Sequence, residues 1–164
     1  MLGDLPLKLD IVGDISFEPR YYEKMRQLAK QLNVAERITF HGAVSHERLG
    51  VFYSTADIFT FPSLYEGFGI VLGEAMHAGL PIVTTRVGPI NEIVREGENA
   101  VVVAPADSPA LAGAIKTLAM DHDARRRFGQ RSRDLATLLP TWKQTCDEIS
   151  SAITDIRGTD HCES

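Results

Sequence analysis

The sequence predicts an α/β fold in which a parallel sheet carries helices on both faces. Short apolar runs of strand character alternate with segments of about ten residues whose apolar side chains recur at intervals of three and four. This alternation is typical of parallel strands joined by right-handed helical crossovers. The length of 164 residues and the hydrophobic content of 44% are sufficient for one buried core.

Five segments have the composition of buried strands. Each is rich in Val, Ile, Leu or Phe and ends at a glycine, a proline or a polar turn. They cover residues 7–13, 37–41, 57–61, 81–84 and 100–103. Because ligands bind at the carboxyl ends of parallel strands, a site is expected in the loops after Gly13, His41, Phe61 and Thr84.

Seven segments have helical spacing. Ser45 is expected to cap one of them and Asp107 or Ser108 another, and Gly79 is expected to end a third. The predicted helices cover residues 19–32, 46–53, 70–78, 90–95, 109–120, 121–139 and 141–153. Together with the strands they predict one domain without a linker or an internal repeat.

Charge and composition exclude several classes of protein. Acidic residues outnumber basic residues by 22 to 17, so bulk charge does not favour nucleic-acid binding. No apolar run reaches the roughly 20 residues of a membrane span, and the first residues lack the pattern of a signal peptide. Cys146 and Cys162 form neither a disulfide framework nor a metal-binding pair, which favours the cytoplasm.

The segment 61–76 carries the clearest functional signal. It runs from the end of a strand through a loop into a helix, and Gly67 and Gly69 allow a ligand to approach its backbone. The first N–H groups of the helix and its dipole favour an anion such as phosphate. We therefore expect a phosphate-bearing ligand at this loop.

Two glutamates flank this helix start. Glu66 lies just before the helix, and Glu74 lies about 6 Å along its axis at 1.5 Å per residue. Carboxylates accept hydrogen bonds from hydroxyl groups, so the pair fits a nucleotide sugar, whose diphosphate lies between two sets of hydroxyls. The alternative, that Glu66 only caps the helix and Glu74 is simply solvated, stays open at this point.

The segment also resembles a known family. Residues 66–76, EGFGIVLGEAM, are similar to the E-x7-E signature of the retaining glycosyltransferases of the GT4 type, the glycosyl transferases group 1. Five further segments resemble the family in the same order along the chain. They are residues 9–14, 38–44, 56–63, 79–85 and 87–94. The resemblance extends over residues 7–153.

The resemblance implies a GT-B fold, in which two Rossmann-like domains face each other across a cleft. Residues 1–157 would be a partial C-terminal, donor-binding domain, and residues 158–164 a disordered tail. Glu66 would be the catalytic residue that positions the donor sugar and stabilises positive charge on its ring, and Glu74 would bind the nucleotide ribose. The other donor-binding residues would be Val44 and Ser45 at the base, with Gly67, Phe68, Gly69, Ile70 and Val71.

The reaction implied by the family is transfer of a hexosyl group, with retention, from a UDP-, GDP- or ADP-sugar to a hydroxyl acceptor in polysaccharide or glycolipid synthesis. The resemblance implies no metal and no other cofactor. A nucleic-acid partner is not expected. Peripheral contact of the complete enzyme with a membrane stays open. Two alternatives also remain open: a fragment of a GT-B-like nucleotide-sugar epimerase, and a non-catalytic nucleotide-binding module.

The resemblance begins late in the family's C-terminal domain. That domain opens with a strand–helix unit whose arginine and lysine bind the donor diphosphate, and this unit precedes the segment similar to residues 7–13. Because neither this unit nor the acceptor-binding N-terminal domain has a counterpart in the sequence, we expect a truncated chain. Such a chain would have little or no turnover by itself.

Overall fold

The computed structural model describes residues 5–140 and 142–159 and confirms an α/β fold with parallel strands. The described residues form five strands in two sheets. Strands β1 (Leu9–Val12) and β2 (Ile38–Gly42) pair in parallel, with a register shift between Ile11 and Val12. The second sheet is also parallel, in the order β3 (Phe59–Phe61), β4 (Ile82–Thr85) and β5 (Ala100–Val103).

Seven α-helices connect and cover the strands in the described part of the chain, and each overlaps a helix predicted from the sequence. They are α1 (Pro19–Gln31), α2 (His46–Thr55), α3 (Ile70–Ala78), α4 (Ile90–Ile93), α5 (Ser108–Met120), α6 (His122–Ala136) and α7 (Trp142–Thr159). Helix α7 reaches two residues into the tail expected from residue 158. Residues 160–164 of that tail lie outside the described residues.

The described strands are divided between two parallel sheets. Among the described residues, β1 pairs only with β2, and β3 pairs only with β4, so no strand joins the two sheets. Leu9 and Ile11 on β1 are 46% and 37% exposed, whereas every residue of β4 is buried. A strand that belongs to a continuous parallel sheet is covered on both faces, and β1 is not.

The core lies around β4 and β5, whose successive side chains point to opposite faces. Ile82 and Val102 pack with α3 and α6 on one face, in a cluster that includes Leu72 and Met76. Val83 packs on the other face, in a cluster with residues of α5 such as Leu118. The prediction of helices on both faces is therefore confirmed for this sheet.

Helix α6 lies unusually close to the end of α3. Gly79 ends α3 with a φ of +78°, and a Cβ added to Gly129 of α6 would overlap its carbonyl oxygen. Nearby, buried Ser132 donates a hydrogen bond to the carbonyl oxygen of Leu80 and accepts one from Asn99. These contacts fix the C-terminal end of α3, the helix that carries Glu74.

In the described part of the chain, no helix combines the length and the apolar character that crossing a membrane requires.

Candidate functional site

The loop between β3 and α3 is attached to the neighbouring strand β4 by two threonine side chains. The hydroxyl of Thr84 donates to the carbonyl oxygen of Phe61 at 2.9 Å, and that of Thr85 donates to the carbonyl oxygen of Ser63. Both threonines are buried in the sheet. The start of the loop is therefore held at the carboxyl ends of β3 and β4, where a ligand site was expected.

Two glycines fix the rest of the loop. Gly69 has a φ of +78° and immediately precedes α3; a Cβ there would lie 3.0 Å from the side chain of Ile93. Gly88, with a φ of +51°, packs against the carbonyl oxygen of Glu66 so closely that a Cβ would overlap it. Because both positive φ values and both close approaches favour glycine, the backbone around Glu66 has little room to move.

Glu66 is bonded to the turn that leads into α3. Its Oε1 accepts hydrogen bonds from the backbone N–H groups of Phe68 at 3.1 Å and Gly69 at 2.8 Å. These bonds hold the pKa of Glu66 below its usual value, so its carboxyl group stays ionised. Both of these bonds end on Oε1, and among the described residues no further hydrogen bond of standard geometry ends on Oε2, which can accept one from a ligand. Holding the turn before α3 and binding a ligand are thus compatible roles for this side chain.

The helix start still offers backbone donors to an anion. Phe68 and Gly69 are engaged by Glu66, and the N–H of Leu72 bonds to the carbonyl oxygen of Gly69. Within the described residues, the N–H groups of Ile70 and Val71 have no acceptor, as is usual for the first residues of a helix. Of the predicted segment from Phe68 to Val71, Ile70 and Val71 therefore hold the backbone N–H groups that are open to an anion.

Glu74 is held from the side by helix α2. The hydroxyl of Tyr53 donates to its Oε2 at 2.8 Å in a partly buried contact. Burial raises the pKa of Tyr53 above its ordinary value, and the hydrogen bond to Glu74 adds to the rise, so the phenol stays protonated. Among the described residues, Oε1 of Glu74 has no hydrogen-bond partner. Glu74 is therefore not simply solvated, as the alternative interpretation supposed.

The predicted base-pocket residues lie at the other end of α2. Val44 is half-buried, and the hydroxyl of Ser45 accepts a hydrogen bond from the N–H of Arg48 at 3.3 Å, so Ser45 is the predicted cap. No hydrogen bond within the described part of the chain connects either residue to the loop that carries Glu66. Helix α2 nevertheless connects the two regions through Tyr53.

The surface around the glutamates is open and apolar. Tyr65 and Phe68 are 84% and 70% exposed, and Leu64 and Ile70 are also exposed. All four lie in the loop or at the start of α3, so the segment around Glu66 presents several apolar side chains to solvent. In the described residues, no group of three or more His, Cys, Asp or Glu side chains is placed to hold a metal ion.

Three residues that shape the site were not assigned to it from the sequence. Tyr53 was placed only on the apolar side of its helix, and Thr85 and Gly88 only within segments that resemble the family. Their contacts join positions 21, 22 and 22 residues apart, to Glu74, Ser63 and Glu66 respectively. No local pattern in the sequence reports such contacts.

The structure is thus a parallel α/β domain with two anchored carboxylates beside a loop at its strand ends, the edge at which domains of this class bind their ligands. The model of the family described as glycosyl transferases group 1 matches residues 4–135, and the chain belongs to this family.

Two curated relatives illustrate the family. The D-inositol 3-phosphate glycosyltransferase of Corynebacterium efficiens is 36% identical over 145 residues, which cover 88% of the chain and 34% of that protein. A GDP-mannose-dependent phosphatidylinositol monomannoside mannosyltransferase of Mycobacterium tuberculosis is 30% identical over 148 residues, covering 85% of the chain and 37% of the relative. The chain thus spans about a third of the length of these relatives.

Solved structures agree on the fold. Sucrose-phosphate synthase of Thermosynechococcus elongatus has a TM-score of 0.85 at 29% identity, over 96% of the chain and 41% of that protein. HepE of Anabaena in complex with UDP-glucose has a TM-score of 0.84 at 25% identity, over 90% and 41%. The C-terminal domain of a group 1 glycosyl transferase of Francisella tularensis has a TM-score of 0.71 at 22% identity, over 80% and 85%. The fold is that of the C-terminal half of GT-B glycosyltransferases.

Proposed function

We propose that this chain is the donor-binding part of a retaining hexosyltransferase that uses a nucleotide-diphosphate sugar. The observation that carries the proposal is the pair of anchored glutamates at α3. One oxygen of Glu66 is bound to the helix start, one oxygen of Glu74 is bound to Tyr53, and each side chain keeps a second oxygen for a hydroxyl group. The UDP-glucose complex of the similar HepE structure supports a donor of this kind.

In the proposed complex, the donor lies across the N-terminus of α3. The diphosphate accepts hydrogen bonds from the N–H groups of Ile70 and Val71, which stabilise the leaving group as negative charge develops on it. Glu66 faces the sugar hydroxyls and the developing positive charge of the sugar ring. Glu74 accepts hydrogen bonds from the ribose hydroxyls. The base lies toward Val44 and Ser45, and no step requires a metal ion.

The proposal includes an N-terminal half that binds the acceptor and a strand–helix unit ahead of β1 that supplies cations to the diphosphate. Among the described residues, β1 pairs with β2 alone, and Leu9 and Ile11 are exposed; both observations support such a unit, because a paired and covered strand would hide both side chains. The chain alone should bind nucleotide sugars on the order of a hundredfold more weakly than the two-domain protein, since two charge-assisted contacts would be missing.

The relatives named above are all transferases, which does not favour the epimerase alternative.

The test compares glutamine variants in the two-domain protein. Glu66→Gln keeps an oxygen that can accept from Phe68 and Gly69 but removes the charge, so kcat should fall far more than donor affinity. Glu74→Gln should chiefly weaken donor binding, by about 1–3 kcal/mol. Glu92→Gln on α4 is the matched control, because Glu92 is exposed and, among the described residues, makes no hydrogen bond to the loop that carries Glu66.

Initial-rate kinetics and calorimetric titration with UDP-, GDP- and ADP-sugars measure these effects. Proton NMR of the anomeric centre of the product tests retention. If both variants retain the activity of the Glu92→Gln control, the two glutamates do not carry the proposed roles. If the product is inverted, the proposed retaining mechanism is wrong, and the donor site is judged on the binding data alone.

A further inference from the structure

We propose that Tyr53 is a positioning residue for recognition of the ribose: its hydroxyl fixes the carboxylate of Glu74 so that the second oxygen faces the nucleotide. The inference rests on the proposed function of Glu74 as the residue that binds ribose hydroxyls. It adds a residue from a different helix, 21 positions earlier in the chain, to the donor site.

The ring of Tyr53 is held in place by aromatic packing. It lies in the last turn of α2, and its centroid is 5.7 Å from that of Phe59 on β3, with the rings tilted by 54°. Phe59 in turn stacks on Phe61 at 6.2 Å and packs against the core cluster around Leu72. Since tyrosine has only two side-chain torsions, this packing leaves its hydroxyl at a defined point.

The geometry then restricts Glu74. The hydrogen bond from Tyr53 to Oε2 is 2.8 Å long and partly buried, so it is a charge-assisted contact at good distance. A glutamate side chain on a helix surface otherwise samples several rotamers, and ordering them costs free energy whenever a ligand binds. Tyr53 orders the carboxylate before the nucleotide arrives.

The donor that holds Glu74 is a neutral phenol and not a cation. A lysine or arginine at this position would neutralise Glu74 and compete with a ligand for both oxygens. The neutral phenol donates one hydrogen bond, because burial and the neighbouring carboxylate keep it protonated, and it leaves the charge of Glu74 in place. Oε1 then remains a strong acceptor for the two vicinal hydroxyls of a ribose.

The experiment measures nucleotide affinity in the two-domain protein for wild type, Tyr53→Phe, Glu74→Gln and the double variant. The probes are UDP, GDP and ADP and, for the nucleotide that binds best, its 2′-deoxy and 3′-deoxy analogues. Tyr22→Phe is the matched control, because the Tyr22 ring packs edge-on against Phe40 on β2 and makes no hydrogen bond to either glutamate. Thermal unfolding of each variant reports any structural damage separately.

Tyr53→Phe should weaken binding of the ribonucleotide on the order of tenfold and change binding of the deoxy analogues much less, so the preference for ribose falls. Adding Tyr53→Phe to Glu74→Gln should cost little more than Glu74→Gln alone, because the tyrosine acts through the glutamate. Tyr22→Phe should leave the preference for ribose unchanged.

Two results would overturn the inference, and they are distinguishable. If Glu74→Gln reduces the ribose preference but Tyr53→Phe lowers only the unfolding temperature, Tyr53 is a packing residue and the proposed function stands. If wild type shows no ribose preference, or Glu74→Gln does not change it, the role of Glu74 fails and the role of Tyr53 fails with it.

Discussion

Substituting alanine for two glycines in neighbouring helices should change stability in opposite directions. Gly113 lies on the exposed side of α5, and a Cβ there would meet no atom within 4 Å. Gly129 lies in α6, where a Cβ would overlap the carbonyl oxygen of Gly79 and lie 3.8 Å from the side chain of Pro81. The two substitutions are chemically identical, so the difference between them isolates the close approach of α6 to α3.

The expected changes in the free energy of unfolding follow from two opposing effects. Alanine in a helix is favoured over glycine by about 1 kcal/mol, which should appear in full for Gly113→Ala. At Gly129 the same gain is opposed by overlap with backbone atoms that cannot rotate away, and overpacking of this kind costs roughly 3 kcal/mol. The expected net loss for Gly129→Ala is therefore about 2 kcal/mol, and the two variants should differ by about 3 kcal/mol.

Urea denaturation followed by circular dichroism measures both changes. The midpoint should rise for Gly113→Ala and fall for Gly129→Ala with the m-value unchanged. In a chain of this size each kcal/mol corresponds to roughly 2–4 °C in Tm. Equal stabilisation by both substitutions would refute the close packing of α6 on the end of α3, because the helix-propensity gain would then be unopposed at both sites.

Three further outcomes are expected. Gly88→Ala should weaken donor binding in the two-domain protein by roughly tenfold, because the Cβ displaces the carbonyl oxygen of Glu66; unchanged calorimetric affinity would contradict this. The lowered pKa of Glu66 means that its carboxylate stabilises the fold above its ordinary value of 4.5 and that this contribution is lost as pH falls through the lowered pKa. Urea midpoints from about pH 6 to about pH 3 should therefore fall less steeply for Glu66→Gln than for wild type, and equal slopes would show that the hydrogen bonds from Phe68 and Gly69 to Glu66 are not populated. Residues 1–164 alone should self-associate through the edge of β1, and Ile11→Lys should reduce this; light scattering that shows a monodisperse wild-type monomer would exclude it.

The sequence predicts the elements of this fold well because their signals are local. Strand β4 is a run of four apolar or β-branched residues between a proline and an arginine, and Gly79 ends the helix before it. The cap on α2 follows likewise from Ser45 at its start. The division into two sheets is not a local property, because it depends on which strands pair, and no residue of β1 by itself reports that it has a single neighbour.

The same distinction between local and long-range signals applies to the candidate site. Glu66 and Glu74 are visible as a spacing along the sequence, and the helix start between them as a glycine-containing loop. The N–H groups that Glu66 already engages are not visible, because its side chain bonds to Phe68 and Gly69 of the same loop only in three dimensions. Tyr53 has the spacing of a core residue, and its apolar ring does pack as one. Only the position of its hydroxyl distinguishes it from a phenylalanine.

The two sheets of the described chain differ in how many apolar side chains are buried around them. Within the described residues, both core clusters are formed by side chains between Ile58 and Leu139, whereas the layer of β1, β2 and α1 contributes a single buried apolar side chain, Ala29. Helix α2 connects that thinly packed layer to α3 through the hydrogen bond from Tyr53 to Glu74. A nucleotide that needs Glu74 in a fixed position would therefore favour the docked arrangement of α2. Because a ligand that binds one arrangement stabilises it by mass action, the proposed donor would stabilise the weaker layer more than the core.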